Sequence, residues 1–313
     1  MLTYKCDNAC RHCLYCCLPK SSDDVMSEEM IDRTMSALSK ERSLDGIHFG
    51  GGECSLFFDR LLYAIRSAVK YGVRIDYLET NGGWCVDDQT ALDGFKKLRD
   101  AGLPGVLISA SLFHLEFIPL NVTKTAIWAA RRVFGSAFIW TDEVLQLMKR
   151  LPEHDKKYPI QESCRLLGIN PSDGTLWKIH SYLNPCGRAA RRLADGVQRY
   201  PADQFSGDAC GQTFRSTSHF HIDPHGNLFT GHCPGISIAN VDSLHPTVNE
   251  TTAPLFTTLC ECGTVEVWKR YAPEFKPDTV GYIGKCHFCL ELRSHLFGKN
   301  IFAELRPVEM YRN

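Results

Sequence analysis

The chain has 313 residues, 44% of them hydrophobic, which is enough to bury one large core or two modest ones. Its 35 Lys and Arg residues nearly balance its 36 Asp and Glu residues. This balance gives no basic surface of the kind that phosphate backbones select, so we expect no nucleic-acid partner. No window reaches about 18 uninterrupted apolar residues, so we expect no membrane span.

The opening residues suggest the cellular compartment. Residues 1–17 contain no positively charged segment followed by an apolar core, so nothing marks the chain for export and we expect a soluble, cytoplasmic protein. Its 15 cysteines should then be reduced. In a reducing compartment, clustered cysteines bind metal or carry out redox chemistry more often than they form disulfides.

Predicted strands and helices alternate along residues 1–195. A short strand over 1–4 precedes the first cysteines, and Ser27 should cap a helix with apolar residues at helical spacing. Further strands are predicted over 46–50, 73–80, 105–111, 136–140 and 176–183, and the segments between most of these strands show the apolar period of helices.

This alternation predicts an α/β fold, with a parallel sheet curved into a partial (β/α)6 barrel. In such folds the chemistry lies in the loops that follow the strands. The first four of these loops carry a cysteine cluster, Gly50–Cys54, Thr80–Gly83 and Ser109–His114. We expect them to converge at one mouth of the sheet.

The pattern changes over 196–313, where Gly, Pro and Thr are frequent and Phe220–Phe229 reads as a β-hairpin. We therefore predict a second, smaller, cysteine-rich α+β domain. Its six cysteines are Cys210, Cys233, Cys260, Cys262, Cys286 and Cys289.

The first cysteines, Cys6, Cys10 and Cys13, form the pattern C-x-x-x-C-x-x-C. Three thiolates in one tight loop can hold three irons of a [4Fe–4S] cluster and leave the fourth iron open for a small molecule. Zinc is the alternative, but it normally needs four ligands and would have to recruit His12 or Cys16 from the same loop.

This cysteine motif, followed by Gly51, Gly52 and Glu53 after the second strand, resembles the radical S-adenosylmethionine (radical SAM) enzymes. The resemblance covers about residues 1–195. It implies that the open iron chelates S-adenosylmethionine. The reduced cluster then cleaves the sulfonium to methionine and a 5′-deoxyadenosyl radical, which abstracts hydrogen from a substrate. A flavodoxin- or ferredoxin-type protein is the implied electron donor.

The resemblance also implies roles for single residues. The two glycines should let the backbone approach the methionine moiety, and Glu53 should bind its ammonium group. Further candidate cofactor contacts are His12, Asn81, Ser109 and Ser111. Strand-end capping is an equal alternative for the polar residues at strand ends.

Three cysteines near this motif depart from the family pattern. Cys54 follows Glu53 where the family commonly has proline, and Cys16 and Cys17 are surplus to the cluster. A small buried side chain is the simpler interpretation of all three.

The cysteines of the C-terminal segment resemble the auxiliary-cluster domains, of the SPASM or twitch type, that follow the barrel in many such enzymes. We predict a second [4Fe–4S] cluster on Cys210, Cys233, Cys286 and Cys289, with Cys260 and Cys262 as spare ligands. The match is partial, and zinc is the serious alternative for this site.

The sequence says less about the substrate. Candidate contacts are His114 and Glu116, and candidate hydrogen-atom donors are Cys54, Cys85, Cys164 and Cys186. Peptide epimerases of this family use such a thiol, which favours a peptide or amino-acid-derived substrate, with modification such as epimerisation or carbon–heteroatom bond formation. A non-peptide small molecule, a noncatalytic iron–sulfur sensor and an RNA-modifying enzyme are the alternatives.

Overall fold

The computed structural model describes residues 1–216, 218–230 and 233–311. The chain divides into two compact units. Unit 1 consists of Met1–Cys10, Cys17–Pro171 and Thr175–Ser181, and unit 2 consists of Arg11–Cys16, Ser172–Gly174 and Tyr182–Asn313.

Unit 1 is built on a parallel sheet of four strands in the order β1-β2-β3-β4. The strands are β1 (Ile47–Phe49), β2 (Ile75–Thr80), β3 (Val106–Ser109) and β4 (Phe138–Trp140). All three pairings are parallel. The predicted α/β class and four of the predicted strands are therefore confirmed.

Helices separate these strands and then complete unit 1. They are α1 (Glu28–Leu38), α2 (Phe58–Lys70), α3 (Asp88–Ala101), α4 (Leu120–Phe134), α5 (Asp142–Met148), α6 (Ile160–Leu167) and α7 (Thr175–Ile179), with a 3-10 turn at Cys54–Phe57. Ser27 caps α1, as predicted, by accepting a hydrogen bond from the backbone of Met30 at 3.1 Å. Apolar residues of α2 and α3, such as Leu61, Ile65 and Phe95, are fully buried in the core.

Two strand predictions in unit 1 are wrong. Residues 176–183 were expected to form a strand, but Thr175–Ile179 is helical. The buried side chains there are Leu176 and His180, which lie one helical turn apart, and the His180 amide donates to the Leu176 carbonyl at 3.0 Å. Residues 1–4 do not form a strand: Thr3 makes an isolated bridge to Val25, and the Leu2 amide donates to the Gly50 carbonyl at 2.9 Å.

Unit 2 combines a small antiparallel sheet with five helices among the residues described. The strands are β5 (Phe220–Ile222), β6 (Asn227–Thr230) and β7 (Ala239–Asn240). The helices are α8 (Gly187–Arg192), α9 (Gly211–Arg215), α10 (Pro254–Glu261), α11 (Thr264–Tyr271) and α12 (Lys285–Lys299), and 3-10 turns occur at Ala202–Phe205 and Val308–Met310.

The predicted hairpin over 220–229 is confirmed by the β5–β6 pairing. Its turn is held by the Asp223 carboxylate, which accepts hydrogen bonds from the backbone of His225 and Asn227, both at 2.9 Å. The core of unit 2 lies along α12, where Phe288, Leu292 and Leu296 are buried. Among the residues described, no helix of either unit is both long and apolar enough to cross a membrane.

Candidate functional site

The loop after the first residues of unit 1 carries two buried thiols, Cys6 and Cys10. The Cys6 sulfur accepts a hydrogen bond from the backbone N–H of Asn8 at 3.4 Å and a longer one from Nδ2 of Asn81 at 3.9 Å. Such N–H donors stabilise a thiolate over a thiol, and they are typical of metal-bound cysteine sulfur. The environment of Cys6 therefore fits a metal ligand.

Asn8 provides a second sign that this loop is built for an additional group. Its side chain is 3% exposed, and its Nδ2 atom has no hydrogen-bond partner among the described residues. A buried amide donor without an acceptor costs free energy, about 1–3 kcal/mol in mutational data. An anionic or polar group bound in this loop would supply the acceptor.

The Gly51–Glu53 segment lies against the backbone of residues 3–5. The Gly52 amide donates to the Thr3 carbonyl at 2.7 Å, and the Glu53 amide donates to the Lys5 carbonyl at 2.8 Å. A Cβ atom on Gly52 would lie 1.8 Å from the Lys5 carbonyl oxygen. The need for glycine here is therefore explained by the close approach of the chain to itself, whereas we expected it to come from a bound cofactor.

The Glu53 carboxylate joins this segment to the end of β2. It is 1% exposed and accepts hydrogen bonds from the Thr80 hydroxyl at 2.9 Å, the Asn81 amide at 2.8 Å and the Ser55 amide at 3.2 Å. Burial raises the pKa of Glu53, and the hydrogen bond from Asn81 opposes this rise. A cationic ligand beside Glu53 would favour its carboxylate form. Binding of an ammonium group by Glu53 stays a prediction.

Asn81 connects the cysteine loop with β2. Its Nδ2 atom donates to Asp7 Oδ1 at 2.6 Å, and its Oδ1 atom accepts from the Gly83 amide at 2.8 Å. Asn81 was predicted as a cofactor contact. In the structure it positions the loop that holds Cys6, and contact with a cofactor is untested.

The segment after β3 is occupied by internal contacts. Ser111 is fully buried, and its hydroxyl lies 2.7 Å from Nδ1 of His114. Burial lowers the pKa of His114 to about 4, with His180 as a second cause, so the ring is neutral near pH 7. The Glu116 carboxylate accepts a hydrogen bond from the Ile160 amide at 3.2 Å at the start of α6. Ser109, at the end of β3, is half-buried.

His12 and Cys13 belong to unit 2, in the segment Arg11–Cys16. The Cys13 carbonyl accepts a hydrogen bond from the Arg188 amide at 3.1 Å, which fixes the segment at the start of α8. A Cβ atom on Gly187 would lie 2.7 Å from that same carbonyl oxygen. His12 packs edge-on against the ring of Tyr182, with centroids 5.9 Å apart.

Three further cysteines of unit 1 are buried, namely Cys54, Cys85 and Cys164. Cys54 donates to the Gly50 carbonyl at 3.1 Å, and burial raises its pKa to about 12, with the Glu53 charge as the next cause. Burial also raises the pKa of Cys85, and it raises that of Cys164 to about 11. These side chains therefore keep their S–H bonds at neutral pH.

The second candidate metal site lies in unit 2 around the start of α12. Cys286 and Cys289 lie one turn apart at the start of α12, and Lys285 Nζ donates to the Ala209 carbonyl at 3.4 Å, which brings the residue before Cys210 to the same end of that helix. Cys233 packs against the apolar cluster that contains Cys289. This arrangement fits a thiolate-bound metal.

Sequence reasoning missed two residues of this second cluster. Cys186 packs in one cluster with Leu290 and Cys286 of α12, and Arg293 Nη1 donates at 3.0 Å to the carbonyl of Pro234, the residue after Cys233. Cys186 was considered only as a hydrogen-atom donor, because nothing in its local sequence pairs it with another cysteine. Arg293 follows Cys289 by one helical turn, and this spacing is the only local signal it gives.

Comparisons with known proteins add no family assignment. No protein-family model matches the chain, and no curated protein matches it.

Proposed function

We propose that the chain is a radical SAM enzyme with a second metal centre in its C-terminal unit. The supporting observation is that Cys6, the Gly51–Glu53 segment and Asn81 are brought together in unit 1 by hydrogen bonds. These are the segments that the family uses to bind its cluster and cofactor. In this proposal the four-stranded parallel sheet serves as the partial barrel, with four strands in place of the six of the (β/α)6 barrel expected from sequence.

In this proposal different residues bind the cluster and the cofactor. Cys6 and Cys10 would ligate a [4Fe–4S] cluster together with Cys13, and the N–H groups of Asn8 and Asn81 would hold the Cys6 sulfur as a thiolate. Glu53, fixed by its backbone donors, would orient the ammonium group of S-adenosylmethionine. When bound and reduced, the cluster would supply the electron that cleaves the sulfonium and releases a 5′-deoxyadenosyl radical.

For the substrate we propose a peptide or an amino-acid derivative. The support for this choice is the resemblance to peptide epimerases that use a cysteine thiol as hydrogen-atom donor. Cys54 and Cys164 keep their S–H bonds but are 1% and 0% exposed, so we assign neither of them the role of donor. The electron would come from a flavodoxin- or ferredoxin-type donor. Fifteen cysteines without a disulfide fit a reducing compartment, for which we propose the cytoplasm.

The test is cleavage of S-adenosylmethionine by the anaerobically purified, reconstituted and reduced protein. We expect 5′-deoxyadenosine and methionine as products. A variant with Cys6, Cys10 and Cys13 replaced by Ala should form neither, whereas Cys260→Ala/Cys262→Ala should behave as the parent does. Equal cleavage by the parent and the triple variant would refute the assignment.

The substrate is identified separately, by supplying deuterated candidate peptides and amino acids. A substrate whose deuterium appears in 5′-deoxyadenosine is the one from which hydrogen is abstracted. Failure of every peptide, with transfer from a non-peptide metabolite, would overturn the substrate class and leave the cofactor chemistry in place.

A further inference from the structure

The short helix α8 carries three arginines, Arg188, Arg191 and Arg192. Residues 174–194 contain no Asp or Glu, although the whole chain has nearly equal numbers of acidic and basic side chains. The positive charge of α8 is therefore not balanced by acidic residues next to it in the sequence.

These arginines share one face of the helix. Arg191 and Arg192 are exposed and Arg188 is half-buried, whereas the glycine and both alanines of α8 are buried. With 3.6 residues per turn, side chains three or four positions apart lie on the same side of a helix, so Arg188 lies beside Arg191 and Arg192. The helix therefore presents a cationic face to solvent and a face of small residues to the core of unit 2.

The start of α8 packs directly on the segment that carries Cys13. The Arg188 amide donates to the Cys13 carbonyl at 3.1 Å, and a Cβ atom on Gly187 would lie 2.5 Å from the Leu14 carbonyl oxygen. Gly187 has φ 59°, in the left-handed region that glycine adopts without strain. The arginine helix is therefore in backbone contact with Cys13, one of the ligands proposed for the first cluster.

The small residues of α8 also adjoin the proposed second centre. One cluster of apolar side chains joins α8 to the cysteine segment and to α12, and its members are Cys186, Ala190, Leu290, Leu14 and Cys286. Arg191 Nη2 donates to the hydroxyl of Ser294, also on α12, at 3.4 Å. A protein bound to the arginine face would therefore be separated by this one helix from residues beside both proposed metal centres.

An acidic redox protein fits this face better than a nucleic acid does. Complementary charge speeds the encounter of two proteins, and electron-transfer complexes bury small interfaces, of less than about 1,200 Å². A face of three arginines is enough for such an encounter. Nucleic-acid binding requires a more extended basic surface, which the nearly equal charges of this chain do not provide.

We propose that the arginine face of α8 is the docking surface for an acidic one-electron donor protein, with Arg191 and Arg192 as its main contacts. This inference rests on the proposed radical SAM function and names the surface at which its electron donor binds. In the docked complex the donor is oxidised by one electron, and the cluster that Cys13 ligates is reduced by the same electron. No covalent bond forms or breaks in this step.

Docking is tested by binding of the full chain to an oxidised flavodoxin of strongly negative net charge. We expect a complex whose dissociation constant rises with salt concentration. Arg191→Glu/Arg192→Glu should raise the dissociation constant about tenfold or more, because like charges then face the flavodoxin. Arg191→Lys/Arg192→Lys keeps the charge and should bind as the parent does.

The chain offers a matched control for this change. Arg131 and Arg132 are also an exposed pair in the last turn of a helix, α4 of unit 1. Arg131→Glu/Arg132→Glu changes the net charge by the same amount and should leave the affinity for flavodoxin unchanged. Equal weakening by both reversals would assign the effect to net charge and overturn the docking surface.

Three other binding results would also overturn the inference. They are no flavodoxin binding by the parent, parental affinity in a folded Arg191→Glu/Arg192→Glu variant, and tighter binding of a single-stranded RNA than of flavodoxin through the same arginines. Thermal unfolding midpoints show whether each variant is folded. If the reversal variant does not fold, Arg191→Gln/Arg192→Gln takes its place in the comparison.

Cleavage of S-adenosylmethionine separates electron delivery from the chemistry that follows. With dithionite, a small reductant that needs no protein docking surface, the parent and Arg191→Glu/Arg192→Glu should cleave at equal rates. With limiting reduced flavodoxin the variant should be slower by about tenfold or more. Equal rates with flavodoxin would overturn this inference alone. No cleavage by the parent with dithionite would refute the proposed function, and electron delivery with it, even where flavodoxin binds.

Discussion

The Nδ2 atom of Asn81 lies 2.6 Å from the carboxylate of Asp7, so the end of β2 is fastened to the loop that holds Cys6 and Cys10. A charge-assisted hydrogen bond of this length is worth more than a neutral one. The same amide group reaches the Cys6 sulfur at 3.9 Å. The Asn81 side chain therefore does two things in unit 1: it fixes the position of the cysteine loop, and it donates a hydrogen bond to the Cys6 sulfur.

Replacing Asn81 by Ala should weaken the first cluster without unfolding unit 1. The variant loses the donor to Asp7 and to Cys6, and loss of such a supporting contact typically lowers metal affinity or activity about 10–100-fold. The measurement is iron content and cleavage rate at limiting iron. Asn121→Ala, on the exposed start of α4, is the control. Parental iron retention and rate would show that Asn81 does not support the cluster.

Glu53→Gln should weaken binding of S-adenosylmethionine about tenfold or more while iron content stays intact. Loss of a charge-assisted contact to an ammonium group should cost about 1.5–3 kcal/mol of binding free energy. The buried carboxylate also accepts three hydrogen bonds, so the unfolding midpoint is measured alongside the binding titration. Glu162→Gln, on α6, serves as the control. Unchanged cofactor affinity would remove Glu53 from the binding site.

Gly52→Ala should prevent the cysteine loop from docking correctly, because the new Cβ would lie 1.8 Å from the Lys5 carbonyl oxygen. We expect a loss of more than about 3 kcal/mol in the free energy of unfolding. The matched change Gly298→Ala meets nothing within 4 Å and lies in α12. It should stabilise the protein by up to about 1 kcal/mol. Denaturant unfolding of both variants gives the comparison, and equal stability would contradict the close approach.

Glu79 should make the stability of unit 1 depend on pH. Burial raises its pKa from 4.5 to about 7, so between these values the folded state holds a proton that the unfolded state has lost. Stability should therefore fall as the pH rises from about 4.5 to 7. Because 39% of the side chain is exposed, we expect a change on the order of 1 kcal/mol.

The check is denaturant unfolding of the parent and Glu79→Gln between pH 5 and 8. The variant should gain stability over the parent as the pH rises. His48 lies 3.7 Å away, so His48→Gln is measured as well and should keep the dependence. Parallel pH curves for the parent and Glu79→Gln would contradict the assignment.

The sequence predicted those parts of the fold in which local pattern and tertiary packing agree. The four sheet strands were predicted correctly, because each is a short segment rich in β-branched and aromatic residues. Residues 176–183 were not, because residues typical of strands, such as Trp177, Ile179 and Tyr182, occur there as well, while the residues actually buried, Leu176 and His180, follow the period of a helix. The local sequence pattern alone could not decide between a strand and a helix.

In the candidate site, too, the sequence predicted the local features and the tertiary structure decided the contacts between distant residues. The spacing of Cys6 and Cys10 and of Cys286 and Cys289 is local, so the sequence alone placed the members of each pair close together, as the proposed metal sites require. Which distant residues join them was decided by tertiary structure. Cys186 packs with Cys286 on Leu290, and Arg293 donates to the carbonyl next to Cys233, only through the tertiary packing around α12. Sequence spacing constrains near neighbours, whereas contact between distant segments, and the burial that sets their charges, depends on how the whole unit packs.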